Sequence, residues 1–277
     1  MLLHNEHLPD RMLNAIVPKA KENGWFAETD SRISGRAFAK KQAVHAGMSG
    51  TPVAEGDLEP LLAELRAKPR EGRTAAYVHL PYCESKCLYC GFFGGKYSLS
   101  AGATYLEALL WEIRSEAEFA STGTWPINAL YLGGGTPTAL RAEELFQLLT
   151  VLRQTLPLAN DCEITVEGRI HNFDGEKMLA CLEAGANRFS IGVQTFDTKL
   201  RRQIGRIADK DTVMHNLSRL ASFNQAAVVV DLIYGLPGQS VADWREDIRT
   251  FLSLPLDGVD LYQLNVFPGS ALDKAIA

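Results

Sequence analysis

From Ala75 onward the chain follows one alternation: a short run of apolar and β-branched residues, then a longer amphipathic stretch with apolar residues recurring at three and four. Six such runs are found, at residues 75–82, 128–134, 163–168, 188–194, 228–235 and 258–266. Amphipathic stretches fit between them, among them 104–120, 142–156, 176–185 with Gly185 placed as a C-cap, and 241–254. Repeated βα units with right-handed crossovers give a parallel sheet. The expected fold is therefore α/β, a partial (β/α)6 barrel over residues 75–277, preceded by an N-terminal extension over residues 1–74. In such barrels the chemistry sits where the βα loops converge, at the C-terminal ends of the strands.

Composition excludes several other classes. A hydrophobic fraction of 46% with 22% charged residues is that of an ordinary folded domain. The net charge of -5 offers no broad cationic surface for nucleic acid or anionic lipid. No apolar run approaches the ~20 residues needed to span a bilayer. The opening residues are broken by His4, Glu6, His7, Asp10 and Arg11, which leaves no secretory signal and points to the cytoplasm. The 5 cysteines are too few for a disulfide scaffold.

Three of those cysteines form a compact C-x3-C-x2-C triplet, Cys83, Cys87 and Cys90, directly after the first strand. Three thiolates on a four-iron cube leave one iron open to a small molecule, unlike the four-cysteine clusters of electron transfer. The alternative is a zinc ion held with a histidine, but structural zinc ordinarily draws on two separated ligand pairs. Cys162 and Cys181 fall on a strand and on a helix's apolar face, where cysteine behaves as a small hydrophobe.

The strand ends carry further unusual residues. The second strand closes on Gly133, Gly134 and Gly135, followed by Thr136, and this is either a plain turn or a place where backbone comes close to a ligand. Glu167, Gln194 and Asp231 each end an apolar run, as inward hydrogen-bonding groups or as helix caps and surface polar groups. Arg206 is either a solvated arginine or a fork for a carboxylate.

Taken together, the triplet, its place after the first strand and the glycines after the second resemble the radical S-adenosylmethionine (SAM) superfamily. That resemblance implies a [4Fe-4S] cluster whose open iron is chelated by SAM, cleaved by one electron to a 5'-deoxyadenosyl radical. Over residues 75–270, the motifs YVHLPYC, GGGTPT, GVQTF and DLIYGLPGQ narrow it to the group of anaerobic coproporphyrinogen dehydrogenase. Carried over by position, Tyr77, Gly134, Glu167 and Asn265 fall where that group contacts a first SAM, Asn265 replacing a small residue. Tyr89 falls against the adenine. Gly135, Thr136, Gln194, Arg206 and Asp231 fall where it contacts a second SAM.

Within the group, the continuation Cys90-Gly91-Phe92-Phe93 resembles the haem-utilisation branch, as does the segment from Lys40 and Lys41 through His45 to Met48. His45 and Met48 are candidates for touching haem iron. Phe92 and Phe93 are placed either to wall a tetrapyrrole or to pack their own loop. The resemblance implies anaerobic haem degradation by methyl transfer and ring opening with iron release, fed by a flavodoxin-like electron donor. Oxidative decarboxylation of coproporphyrinogen III is the alternative within the same barrel, and a non-catalytic haem chaperone is the alternative outside enzymology. Members of the group carry a further C-terminal domain over the barrel mouth, which is expected to be missing from this chain.

Overall fold

Six strands realise the alternation: β1 (Thr74–Leu80), β2 (Ile127–Gly134), β3 (Leu158–Gly168), β4 (Arg188–Gln194), β5 (Ala227–Tyr234) and β6 (Gly258–Gln263). They pair in chain order, every neighbouring pair parallel, as a six-stranded sheet. The eight described helices are α1 (Glu55–Ala67), α2 (Leu99–Ala120), α3 (Ala142–Thr155), α4 (Gly175–Glu183), α5 (Thr198–Gln203), α6 (Lys210–Ser222), α7 (Val241–Leu252) and α8 (Ala271–Ile276). Sequential order with a helical crossover at each step is the (β/α)6 arrangement, with β1 and β6 as edges. This computed structural model describes residues 51–120, 125–267 and 269–276. Residues 54–277 form the compact unit that holds the sheet. The segment Lys40 to Met48, with His45, lies outside the described residues.

Parity along the strands decides which residues meet the core and which meet the site. Val78 and Leu80 of β1, Leu130 and Leu132 of β2, Ile164 and Val166 of β3, Phe189, Ile191 and Val193 of β4, and Val228, Val230 and Leu232 of β5 are all buried in one cluster. Leu145, Leu148, Leu149 and Leu152 of α3 and Val213, Leu217 and Leu220 of α6 pack into the same cluster. Each fully buried Leu or Ile of this layer contributes roughly 2 kcal/mol. The intervening positions face the other way. They include Tyr77, Tyr131, Glu167, Ser190, Asp231 and Asp260, and the register places Tyr77 opposite Tyr131, Glu167 opposite Ser190, and Asp231 opposite Asp260. One face is an apolar layer under helices and the other carries a polar row.

Strand limits differ from the sequence pattern by more than one residue at three places, each for a local reason. Strand β1 stops at Leu80 because Pro81 has no N–H for the ladder. Tyr82–Cys83 instead pairs in parallel with Gly95–Lys96 in a small separate sheet. Strand β3 begins at Leu158, ahead of the expected 163, through a bulge that pairs Leu158 with Ile127 and Glu163 with Ala129. Asn160 and Asp161, poor strand formers, hide this start. Strand β6 ends at Gln263 because its partner β5 ends at Tyr234, before Gly235 turns at φ +82.

Helix ends follow their chemistry. Asp174, Asp197, Asp209 and Ser240 each cap a helix by accepting a backbone N–H. Gly185, at φ +94, follows the end of α4, as its spacing suggests. Arg66 of α1 pairs with Glu116 of α2 and lies 4.7 Å above the Phe119 ring.

Candidate active site at the strand ends

The cysteine loop is closed at its base before its tip is placed. The N–H of Gly94 donates to the Pro81 carbonyl at 2.9 Å, and that of Tyr97 to the Cys83 carbonyl at 2.8 Å. A turn from Cys90 N–H to the Cys87 carbonyl, 3.3 Å, gathers the second half. Leu88 then joins the loop to the end of α5 by donating to the Ile204 carbonyl at 3.2 Å. Next to that bond, Gly205 sits at φ +85 where a side chain would stand 3.4 Å from the Lys86 carbonyl.

Cys83 and Cys87 are buried and Cys90 is half-buried. Each sulfur has a donor beside it. Thr136 Oγ1 is 3.2 Å from Cys83 Sγ, Arg169 Nη2 donates to Cys87 Sγ at 2.8 Å, and Phe92 N–H donates to Cys90 Sγ at 3.3 Å. Burial pushes the Cys83 thiol up, opposed by the Thr136 hydrogen bond and the Arg169 charge. Among the described residues no three side chains of ligand type gather as a metal-binding group.

Facing the loop is the glycine turn. The N–H of Gly135 donates to the Leu80 carbonyl at 2.7 Å, and a side chain at Gly135 would stand 2.8 Å from the carbonyls of Pro81 and Tyr82. Gly134, at φ +112, would place one 2.8 Å from the Leu80 carbonyl. At Gly133 a side chain would meet Glu167 Oε2 at 2.9 Å. The three glycines thus let β1, β2 and the Glu167 carboxylate approach. Glu167 Oε1 accepts from the Tyr131 hydroxyl at 2.7 Å and Oε2 from Gly134 N–H at 3.2 Å. Tyr77 stacks on Tyr131 with centroids 6.2 Å apart, its hydroxyl 3.0 Å from His79 Nδ1.

A second group of polar residues lies at the ends of β4 and β5. Gln194 is held at φ +69 by its surroundings. Arg201 Nη1 donates to the carbonyls of both its neighbours, Val193 at 2.6 Å and Thr195 at 2.9 Å, and Asp247 accepts from Thr195 Oγ1 and Phe196 N–H. Such a conformation persists in a non-glycine residue only where the surroundings over-determine it. Gln194 Oε1 and Arg206 Nε are buried with no hydrogen-bond partner among the described residues. Both side chains crowd Gly192, where a Cβ would stand 3.1 Å from Gln194 Nε2 and 3.2 Å from Arg206 Nη2. The other end of Arg206 donates to the Tyr89 hydroxyl at 3.1 Å, and burial pushes that phenol up to about 12. Asp231 accepts from Ser190 Oγ at 3.3 Å. Burial first, then the charges of Glu167 and Asp260, push Asp231 up to about 6.

The residues singled out in the sequence therefore fall into connected sets. Cys83, Cys87 and Cys90 share one loop, which Thr136 reaches from the glycine turn through Cys83 Sγ, while Tyr77 and Glu167 meet at Gly133 and Gly134. Tyr89 and Arg206 touch. Asn265 lies half-buried in the loop after β6, one residue beyond the last ladder-like bond, from Leu264 N–H to the Tyr234 carbonyl at 2.9 Å. Phe92 is exposed, and Lys86 sits 5.5 Å over the Phe93 ring. Arg169 is a residue that sequence reading passed over. Its only local signal is a cation two places after Glu167, just past a strand end. Cys162 and Cys181 are buried elsewhere, and burial pushes the Cys181 thiol up to about 12.

Comparison with known proteins places the chain among its relatives. The family model of the radical SAM superfamily matches residues 77–251. Anaerobilin synthase of Escherichia coli O157:H7 is 44% identical over 242 residues, covering 86% of this chain and 54% of that protein. Heme chaperone HemW of Bacillus subtilis is 36% identical over 197 residues, 70% of this chain and 51% of the chaperone. Among solved structures, coproporphyrinogen III oxidase (HemN) from Escherichia coli superposes with a TM-score of 0.69 at 25% identity, covering 80% of this chain and 50% of that one. The chain spans about half the length of the curated relatives it matches. No described helix is long and apolar enough to cross a membrane. With the matched model spanning most of the sheet and a cysteine triplet after β1, the chain belongs to the radical SAM superfamily, whose cofactors are SAM and a [4Fe-4S] cluster.

Proposed function

We propose that this protein is a radical SAM enzyme of the cytoplasm that opens haem, transferring a methyl group and releasing iron. The observation that carries the reading is the 44% identity to anaerobilin synthase across 86% of the chain. Physical support comes from what the site offers. Cys83, Cys87 and Cys90 would hold the cluster and leave one iron open. When bound, cluster and SAM supply one-electron cleavage of the SAM sulfonium, the source of a carbon radical.

The chain's own residues position and shield that chemistry. Tyr77, Gly134, Glu167 and Asn265 would hold a first SAM, with the Glu167 carboxylate and the open glycine turn accepting its polar groups. Tyr89 would stack beside the adenine. Gly135, Thr136, Gln194, Arg206 and Asp231 would hold a second SAM. The unpartnered Gln194 Oε1 and Arg206 Nε suit that role, because each buried group left without a partner costs about 1–3 kcal/mol that a ligand would recover. Phe92 and Phe93 would wall the tetrapyrrole, with a flavodoxin-like protein as electron donor.

The test is anaerobic incubation of the reconstituted protein with haem, SAM and reduced flavodoxin. Loss of the Soret band with a methylated linear tetrapyrrole and free iron is the expected result. Carbon dioxide from coproporphyrinogen III with haem unchanged would replace it by the decarboxylase reading. Haem that binds and passes intact to an acceptor protein would replace it by a chaperone.

A further inference from the structure

Arg169 is buried, and its guanidinium is committed to the cysteine loop. Nη1 donates to the Ser85 carbonyl at 2.9 Å and to Ser85 Oγ at 3.0 Å, while Nη2 donates to Cys87 Sγ at 2.8 Å. Ser85 belongs to the spacer between Cys83 and Cys87, so one planar group spans the stretch from spacer to second thiolate. Arg169 also reaches this place by a fixed route. Its own N–H donates to Thr138 Oγ1 at 3.1 Å, tying the end of β3 to the segment after the glycine turn.

The charge makes this more than a strut. Arginine stays protonated in proteins, and a buried cation ordinarily requires an anion. Among the described residues Arg169 forms no salt bridge with a carboxylate. Cys87 Sγ, at 2.8 Å, would supply that anion when it serves as a cluster thiolate.

We infer that Arg169 is a positioning residue for the cluster, fixing its second ligand and holding a positive charge that raises its reduction potential. This rests on reading the cysteine loop as a [4Fe-4S] site. Reduction takes one electron from an external low-potential reductant and adds one negative charge at the cluster. A fixed cation at hydrogen-bond distance favours that added charge, and hydrogen bonds to ligand sulfur tune such potentials.

Anaerobic potentiometric titration of the reconstituted chain, followed by electron paramagnetic resonance of the reduced cluster, tests this. Arg169→Met should keep the parent's iron content but shift the midpoint to more negative potential. At the parent's midpoint its reduced-to-oxidised ratio should fall roughly tenfold, as loss of a charge-assisted hydrogen bond implies. Arg169→Lys should lie between. Should Arg169→Met lose its iron, the neutral Arg169→Gln, which retains a donor, takes its place with the same expectation. Midpoints equal to the parent's, or neutral variants that both lose iron, would overturn the inference. A parent that takes up no four-iron cluster would overturn the cluster reading itself and the inference with it, a result recognisable before any variant is made.

Discussion

The carboxylate of Glu167, at the end of β3, accepts the backbone N–H of Gly134, at the end of β2, at 3.2 Å. That contact exists only because Gly133 and Gly134 have no side chains, since a Cβ on either would stand within 2.9 Å of neighbouring atoms. Strand pairing, turn and acid thus form one unit.

Gly134→Val should disturb both fold and ligand site. A β-branched residue at φ +112, pressed against the Leu80 carbonyl, costs on the order of 3 kcal/mol. Thermal melts should show a drop of roughly 10 °C, and calorimetry a SAM affinity weakened about tenfold or more. Gly235→Ala is the control, because φ is +82 there but the space is open. It should cost only about 1 kcal/mol. Equal melts for the two variants would remove close approach as the reason for Gly134.

The three loop cysteines should act as a set in metal uptake. Cys83→Ala, Cys87→Ala and Cys90→Ala should each abolish the brown absorbance and iron content of anaerobically reconstituted protein. Cys162→Ala and Cys181→Ala should keep both, losing only on the order of 1 kcal/mol of packing. A loop variant that retains four irons and cleaves SAM contradicts the ligand assignment.

Asp231 sets a pH dependence of known sign. Its folded-state value of about 6 lies above the ordinary 3.8. The folded protein therefore holds this proton more tightly than the unfolded chain. The stabilisation is full below the unfolded value and is lost as pH rises through about 6. The tighter hold on the proton is worth at most about 3 kcal/mol. Asp231→Asn should flatten the melting temperature across this window and raise it by several degrees near neutrality, while weakening SAM binding. Parallel pH profiles for parent and variant would show that Asp231 does not carry the effect.

Gln194 separates backbone strain from side-chain role. Gln194→Gly relieves the left-handed conformation at φ +69 and should stabilise the fold by about 1 kcal/mol. It also removes the unpartnered amide. If two SAM molecules bind, as proposed, calorimetric stoichiometry should fall from two to one, and an unchanged value would take Gln194 out of the proposed second site.

Phe92 tests the tetrapyrrole wall. Its ring is exposed, two residues beyond Cys90. Phe92→Ala should weaken haem binding by about tenfold, the worth of one newly covered aromatic ring. Uncoupled SAM cleavage should change little. If haem titrations of parent and variant coincide, the ring only packs its own loop.

The sequence by itself determined the elements that a few neighbouring residues specify. Six strands follow from apolar and β-branched runs set between amphipathic stretches, and the cysteine triplet narrows its chemistry within eight positions. Pro81, by lacking an N–H, ends β1, but it took the partner Gly95–Lys96 to turn Tyr82–Cys83 into a separate strand. Strand β3 hid its start behind Asn160 and Asp161, because only pairing with Ile127 makes Leu158 a strand residue. The polar row from Tyr77 to Asp260 is written in strand parity, yet parity alone does not say which face is covered by helices. Arg169 illustrates the limit most clearly. Its contact with Cys87 joins positions 82 residues apart, and the contact of Arg206 with Tyr89 joins positions 117 apart. Such contacts depend on how far each crossover rotates and where each strand stops, quantities set by packing of the whole layer. Local periodicity fixes which elements form, and the tertiary structure alone decides which of their end residues face the same sulfur.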